Sequence, residues 1–357
     1  MSSFETFKVS EAVRKILLLF LLLISLHCAG QNTQYQVALI GFYNLENIFD
    51  TINQLDVEDE EFTPDGGNHY TSEVYLDKLE KLSQVISEMG TDDSPEGIAI
   101  LGVAEVENSS VLEDLVSQLK LKNRNYKVAH IDGRDERGVD VGMLYNPKYF
   151  TVKKMESLHV PTEKLDSAYG HTRDVLFVSG EFLGEPLYVF VNHWPSRRGG
   201  EEASRPYREL AAKVNKQKID SLMKIDPNTK VVVMGDLNDD PVDVSVTKVL
   251  GAKGYKGDVK KGGLYNPWTI FYKSGIGTLA YQDAWNLFDQ IIISSCFLET
   301  NQKGLFFKEQ VIFKRDYLIE KTGKFKGYPK RTYNGAIYAG GYSDHFPTYI
   351  VLLKQTK

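Results

Sequence analysis

Six times in this chain an apolar stretch gives way to a carboxylate, a carboxamide or an imidazole. Near the carboxyl end, Asp344 and His345 stand side by side between Gly340-Gly341 and the apolar run 348–353. Upstream come Asn44 and Glu46 in Phe42-Tyr43-Asn44-Leu45-Glu46, Glu105 after Leu101-Gly102-Val103-Ala104, and His193 after Asn192. Asp236 and Asn238 follow Val231-Val232-Val233-Met234-Gly235, and Asp289 precedes Gln290-Ile291. Packing holds rotamers at the mouth of a strand, so groups placed there are positioned for chemistry. An unpaired charge at such a place is costly to bury, so each must find a partner.

For Glu105, a hard divalent cation is one such partner. With Asp344, Asn44 and Glu46 beside it the ligand set is all oxygen, which suits Mg²⁺, or Mn²⁺ in its place, better than zinc. An ion pair with an arginine is the other solution. Asp236 and Asn238, two residues apart, share one side of an extended chain. Such a carboxylate and amide can orient a water and a substrate oxygen, or can simply cap a turn.

His193 and His345 are the two of seven histidines that stand at strand ends among polar neighbours. Imidazole can donate to a phosphate oxygen or move a proton near neutral pH, and Asp289 can orient one ring nitrogen. His69, His130, His159 and His171 read as structural. After His193 a glycine-rich loop carries Arg197 and Arg198, whose planar forks match phosphate oxygens, with Arg205 and Arg208 close behind. A solvated basic loop is the bland reading. Arg134, Arg137 and Asp140 divide evenly between internal ion pairs and further site residues.

The elements that must position these groups follow from periodicity. Runs rich in Val, Ile and Tyr predict strands over 35–43, 98–103, 126–131, 139–145, 186–191, 230–234, 290–293 and 348–353. Helical spacing predicts helices over 75–89, 111–121 and 208–223, the second capped by Asn108-Ser109-Ser110 and the third following Pro206. Three long irregular stretches, 50–71, 155–174 and 303–341, are expected to rim a site. Within the first, the acidic patch 56–61 reads as a solvated loop, with a calcium site as the alternative.

The chain has 357 residues, 42% hydrophobic, enough for a sizeable core. No linker or repeat divides it, so 31–357 is expected to be a single catalytic domain. Its net charge of -6 offers no general attraction for nucleic acid, although local basic loops can still grip phosphate. Residues 1–30 read as a signal peptide: Lys8, Arg14 and Lys15 precede a short apolar run at 16–26, then Ala29 and Gly30. Export to the periplasm or beyond is expected, with no membrane span left after cleavage. An uncleaved anchor or a lipid on Cys28 are the alternatives. Cys28 and Cys296 are the only cysteines, so the exported part has no internal disulfide.

The order of these motifs resembles the endonuclease/exonuclease/phosphatase superfamily. Asn44, then Glu105, His193 with an arginine downstream, Gly235-Asp236-Leu237-Asn238, Asp289 before a strand, and Ser343-Asp344-His345 carry the resemblance over nearly all of 31–357. It implies an α/β (α+β) four-layer sandwich, two mixed β-sheets face to face with helices on both outer sides, and metal-dependent hydrolysis of phosphate esters. It further implies Glu105 as principal metal ligand with Asn44 and Asp344 close by, and Glu46 at a variable position. Asp236 and Asn238 would position water, Asp289 would orient His345, and both histidines would contact the phosphate; Arg197, Arg198 and Arg137 are the expected substrate contacts. Asn192-His193 is more similar to the secreted deoxyribonuclease branches than to the DNA-repair branch. A nuclease is therefore the leading expectation. An esterase acting on inositol phosphates or sphingolipids is its enzyme alternative, and an inactive binding module on the same scaffold is the other.

Overall fold

In the computed structural model, which describes residues 10, 11, 13, 15, 34–55, 57–300 and 304–356, the apolar runs become two six-stranded sheets. Strands are numbered along the chain. The first sheet runs from edge to edge β13 (Leu305–Ile312), β16 (Thr348–Gln355), β1 (Tyr35–Ile48), β2 (Ile100–Val106), β4 (Asp140–Tyr145) and β3 (Lys127–His130). The second runs β5 (Phe150–Leu158), β6 (Val175–Phe182), β7 (Glu185–His193), β8 (Val231–Asp236), β12 (Asp289–Ser294) and β9 (Leu264–Tyr265). Short hairpins β10 (Leu279–Tyr281) with β11 (Ala284–Asn286), and β14 (Tyr333–Asn334) with β15 (Ile337–Tyr338), stand in the loops.

Side chains alternate along a strand, and β1 shows what that alternation does. Ala38, Ile40 and Phe42 enter a core that they share with Val178, Val189, Met234 and Ile291 of the second sheet. Leu39 and Tyr43 face the other way, onto Leu79, Leu82 and Ile86 of helix α1 (Ser72–Glu88). Helix α2 (Ser109–Ser117) joins that outer layer, its first turn capped by Asn108 Oδ1, which accepts from the Val111 N–H at 3.1 Å. Helix α3 (Glu201–Ile225) covers the second sheet through Ala211, Ala212 and Ile219. The four expected layers are present. Between the sheets Gly102 leaves room for Met234: a Cβ there would stand 2.5 Å from the Met234 sulfur.

Both β1–β2 and β2–β4 shift register at their site ends, between Asn44 and Ile48 and between Ala104 and Val106. Glu105 is the bulged residue and has φ +60, while Glu46 and Asn47 also take left-handed backbone at φ +52 and +54. Non-glycine residues adopt this region at a cost, and bulges re-aim side chains. Here the distortion lifts three residues out of the ladder toward a common point.

Several expectations need correction. The stretch 155–174 begins inside β5, and 303–341 contains β13. β5 is an edge strand whose side chains are mostly exposed, so no apolar alternation marks it. The run 175–182, which was given no element, is β6. Helix α3 starts at Glu201 and contains Pro206, because a proline in the opening turns forfeits few helical bonds. The expected signal at 1–30, with Cys28, lies outside the described residues except for 10, 11, 13 and 15, and so does Asp56 of the acidic patch. The chain divides into the compact unit Val37–Lys354 and a remainder, Met1–Gln36 with Gln355–Lys357. Among the described residues no helix is long and apolar enough to cross a membrane.

One buried carboxylate beyond β2 makes stability depend on pH. Glu107 is 4% exposed; its oxygens accept from the Asp50 N–H and the Gln54 amide, yet burial pushes its carboxyl from 4.5 up to about 7. A raised folded pKa means that its contribution is full below about 4.5. It falls as pH rises through about 7, because the folded state then holds a proton the unfolded chain has already released, a loss of about 3 kcal/mol. Glu107→Gln is expected to remove this fall. Urea unfolding at about pH 5 and about pH 8 checks it: the wild-type difference should shrink in the variant, and an unchanged difference would overturn the assignment.

Candidate active site

The strand ends of both sheets meet at one point. Asn44 of β1 is fully buried, and its amide donates to Glu105 Oε1 at 3.0 Å and to Asp236 Oδ2 at 3.1 Å, bridging the two sheets. Its own oxygen accepts from the Glu46 N–H at 2.9 Å. Glu105 Oε2 accepts from the Asn47 N–H at 3.0 Å, so the bulge that exposes this carboxylate also orients it. Asn44 was expected to lie among metal ligands. As arranged, its amide nitrogen joins two carboxylates while its oxygen accepts from the backbone.

On the second sheet, His193 and Asp236 are register partners in the parallel pair β7–β8, and Asp289 opposes Asp236 from β12. Asp236 Oδ1 accepts from the Asn238 N–H at 2.9 Å, and Asn238 itself has left-handed backbone with φ +48. The Asn238 amide donates to the Trp194 carbonyl at 3.0 Å. Beneath them, Asn192 Oδ1 accepts from both the Trp194 indole at 2.9 Å and the Asn215 amide at 2.7 Å, fixing the end of β7.

The two histidines differ in charge because their surroundings do. His345 is deeply buried, which alone would lower its pKa. Asp289, hydrogen-bonded to its Nδ1 at 2.8 Å, together with Asp236 and Asp344, instead raises it well above the ordinary value. His193 is pushed well below by burial and by the Arg173 and Arg137 guanidiniums. Near neutral pH, then, His345 is an imidazolium and His193 a neutral ring. Their Nε2 atoms stand 3.8 and 3.7 Å from the same Asp236 oxygen. Burial raises Asp236 to about 6 despite His345, with Asp289 adding to the rise. It can therefore take up a proton close to neutral pH.

Glu46 and Asp344 flank this centre on a separate cleft lined also by Asn47, Arg331 and Tyr333. Glu46 is raised to about 7 by burial and by the Asp344 charge, even though its Oε2 accepts from the Thr332 N–H at 2.6 Å. Arg331 reaches both, at 2.6 Å from Asp344 and 3.6 Å from Glu46. Lys78, fully buried on α1, donates to the Thr332 hydroxyl at 2.7 Å; burial lowers it to about 8 while Glu46, Asp344 and Glu105 hold it up. Neither Arg331 nor Lys78 was foreseen as a site residue. Lys78 did leave a signal: it shares the apolar face of α1 with Tyr75 and Leu82, where a lysine is out of place.

Arg197 does not reach the centre. Its guanidinium donates to the Asn238 carbonyl, Glu201, Asp240 and Asp243 and lies 4.7 Å over the Phe288 ring, so its expected phosphate contact is withdrawn. Arg198 and Arg137 line a different cleft near His193, together with Arg173, Tyr169 and Tyr207 and the carboxylates of Glu58, Asp135, Glu136 and Asp166. Arg137 and Arg173 both pair with Asp135, and Arg173 also donates to the Trp194 carbonyl at 2.7 Å. Arg173 lay in the irregular stretch 155–174 and Asp135 between the strands expected over 126–131 and 139–145, and neither was singled out as a site residue. Asp140 turns out to be internal, accepting from the Gly133 N–H and facing His130 at 3.2 Å. Tyr328 closes a loop, donating to Asp283 at 2.6 Å.

The carboxylates fit a hard cation: Glu105 and Asp236 offer ligand oxygens within 4.8 Å of each other and of a His193 nitrogen, which departs from the all-oxygen set that was expected. The arrangement thus combines buried carboxylates, a fixed imidazolium and a neutral imidazole, with an arginine-bearing cleft nearby.

A sequence model described as the Endonuclease/Exonuclease/phosphatase family matches residues 39–354. No curated protein matches the sequence significantly. Solved structures do share the fold. A humanized D. rerio TDP2 is 16% identical with a TM-score of 0.53, over 88% of this chain and 98% of that one. A Bacteroides thetaiotaomicron mannosyl-6-phosphatase is 15% identical with a TM-score of 0.52, over 88% and 99%. D. rerio TDP2 complexed with single strand DNA product is 14% identical with a TM-score of 0.51, over 89% and 99%.

Proposed function

We propose, from the premise that this chain belongs to the endonuclease/exonuclease/phosphatase family and is a hydrolase acting on phosphate esters, that it is an exported, Mg²⁺-dependent phosphodiesterase whose substrate is a nucleic acid. The observation that carries the reading is the polar cleft near His193, where Arg137, Arg173 and Arg198 and the rings of Tyr169 and Tyr207 stand among the carboxylates of Glu58, Asp135, Glu136 and Asp166. Guanidinium forks and aromatic rings beyond the reacting centre suit a strand with further phosphates and bases, whereas a lone phosphate monoester needs neither. The likeness to a TDP2 solved with single strand DNA product supports it. Export rests on the charged start and short apolar run of 1–30.

In this reading Asp236 takes the proton of the attacking water, which its bond to the Asn238 N–H keeps in place to do. The water oxygen forms the new bond to phosphorus as the bond to the leaving oxygen breaks. His345, charged and held by Asp289, donates from Nε2 to a phosphate oxygen as negative charge grows there. Glu105 would hold Mg²⁺, with Asp236 beside it, and Glu46 and Asp344 are the further expected ligands. Such a cation supplies Lewis-acid stabilisation of the phosphate charge.

The test is product formation from DNA, RNA, an inositol phosphate, a sugar phosphate and sphingomyelin with Mg²⁺ present. DNA or RNA should be cleaved best. Arg137→Ala with Arg198→Ala should raise KM by about tenfold and reduce the salt slope by about one unit per lost phosphate contact. Ready turnover of a monoester or lipid with no detectable cleavage of DNA or RNA would overturn the nucleic-acid assignment.

A further inference from the structure

Between β5 and β6, away from the strand-end cluster, His159, Glu163 and His171 converge. Their ligand atoms lie within 4.8 Å of one another. His159 Nε2 stands 3.2 Å from Glu163 Oε1, and His171 Nδ1 stands 3.7 Å from Glu163 Oε2. A tetrahedral zinc with bonds of about 2.0–2.1 Å keeps its ligand atoms about 3.3 Å apart, so these spacings are already close to those of a bound ion.

The surroundings of the cluster point the same way. Asp174 is buried, and its Oδ1 takes both the His159 Nδ1 at 3.0 Å and the Val160 N–H at 3.1 Å, while its Oδ2 accepts from the Ser157 hydroxyl at 2.9 Å. A carboxylate locked in this way fixes the ring and leaves Nε2 aimed outward, the arrangement that orients a metal-binding histidine. Glu163 Oε2, a buried oxygen, has no hydrogen-bond partner. Two imidazoles and one carboxylate form a borderline set that prefers zinc to the hard cation suited to Glu105.

We propose that His159, Glu163 and His171 form a zinc site separate from the strand-end cluster, with Asp174 as the orienting carboxylate. The bound ion would tie the turn at Thr162–Lys164 to His171 and so secure the segment that carries Tyr169, whose ring stacks on Tyr207 at 3.8 Å in the arginine-bearing cleft. Its three protein ligands leave a fourth position for water.

The full chain, stripped of metal by a chelator that is then removed, is titrated with Zn²⁺ while bound equivalents and melting temperature are measured. The native protein should bind one equivalent more than His171→Ala. His171 is 42% exposed, so this variant should fold normally. Zinc should raise the melting temperature of the native protein and of Glu105→Gln, but not of His171→Ala or Glu163→Gln. Equal stoichiometry and an equal rise in His171→Ala and Glu163→Gln would overturn the site. So would loss of all zinc-dependent stabilisation in Glu105→Gln, because that result would assign the ion to the strand-end cluster.

Discussion

His345→Ala is expected to lower kcat by about 10²- to 10⁴-fold with a small change in KM, the range of a proton donor or oxyanion contact that acts mainly in the transition state. The reason is electrostatic. His345 carries its charge because Asp289 lies 2.8 Å from its Nδ1, and removing the ring leaves Asp289 and Asp236 buried without their nearest cation. Asp289→Asn separates charge from position. With the carboxylate gone the ring loses its main support against burial and its pKa falls, so the alkaline limb of the rate profile should move to lower pH. Single-turnover kinetics across pH provide the measurement. An alkaline limb in Asp289→Asn that coincides with the wild type would show that the His345 charge has another origin.

Glu105→Gln is expected to weaken Mg²⁺ binding and to lower turnover by about 10³-fold, since a Lewis acid supplies several kcal/mol and each 1.36 kcal/mol is tenfold in rate. The backbone bulge should survive, because glutamine retains an oxygen for the Asn47 N–H and meets the same left-handed φ. The contrast with Glu46 is informative. Glu46 already accepts the Thr332 N–H, faces Arg331 and is raised to about 7, so Glu46→Gln removes less charge at neutral pH and should cost less. Calorimetric titration of each variant with Mg²⁺, beside its rate, distinguishes the two. Wild-type Mg²⁺ affinity in Glu105→Gln, or full activity of the wild type in excess chelator, would overturn the assignment.

Local pattern made the sheet cores readable. Val231-Val232-Val233-Met234 could hardly be anything but a buried strand, and Leu79, Leu82 and Ile86 could face only a core. Edge strands escaped the same reasoning, because β5 meets solvent along most of its length and takes its register from β6 rather than from its own side chains. β13 is likewise aligned by its pairing with β16.

At the site, local pattern marks which groups stand at strand ends, since the period of two, the apolar runs that precede Asp236 and Glu105 and the one that follows Asp344 are local properties of the chain. Tertiary structure decided everything that depends on who the neighbours are. Asn44 meets Asp236 across 192 positions and His345 meets Asp289 across 56, and no spacing rule predicts such contacts. Arg197 looked free to bind phosphate until the fold brought Asp240 and Asp243 to it, and Arg137, which was ambiguous, came to line the cleft beside His193. The opposite charge states of His193 and His345 were beyond reach for the same reason. Protonation follows burial and the charges within a few ångströms, and both are set only when the two sheets pack.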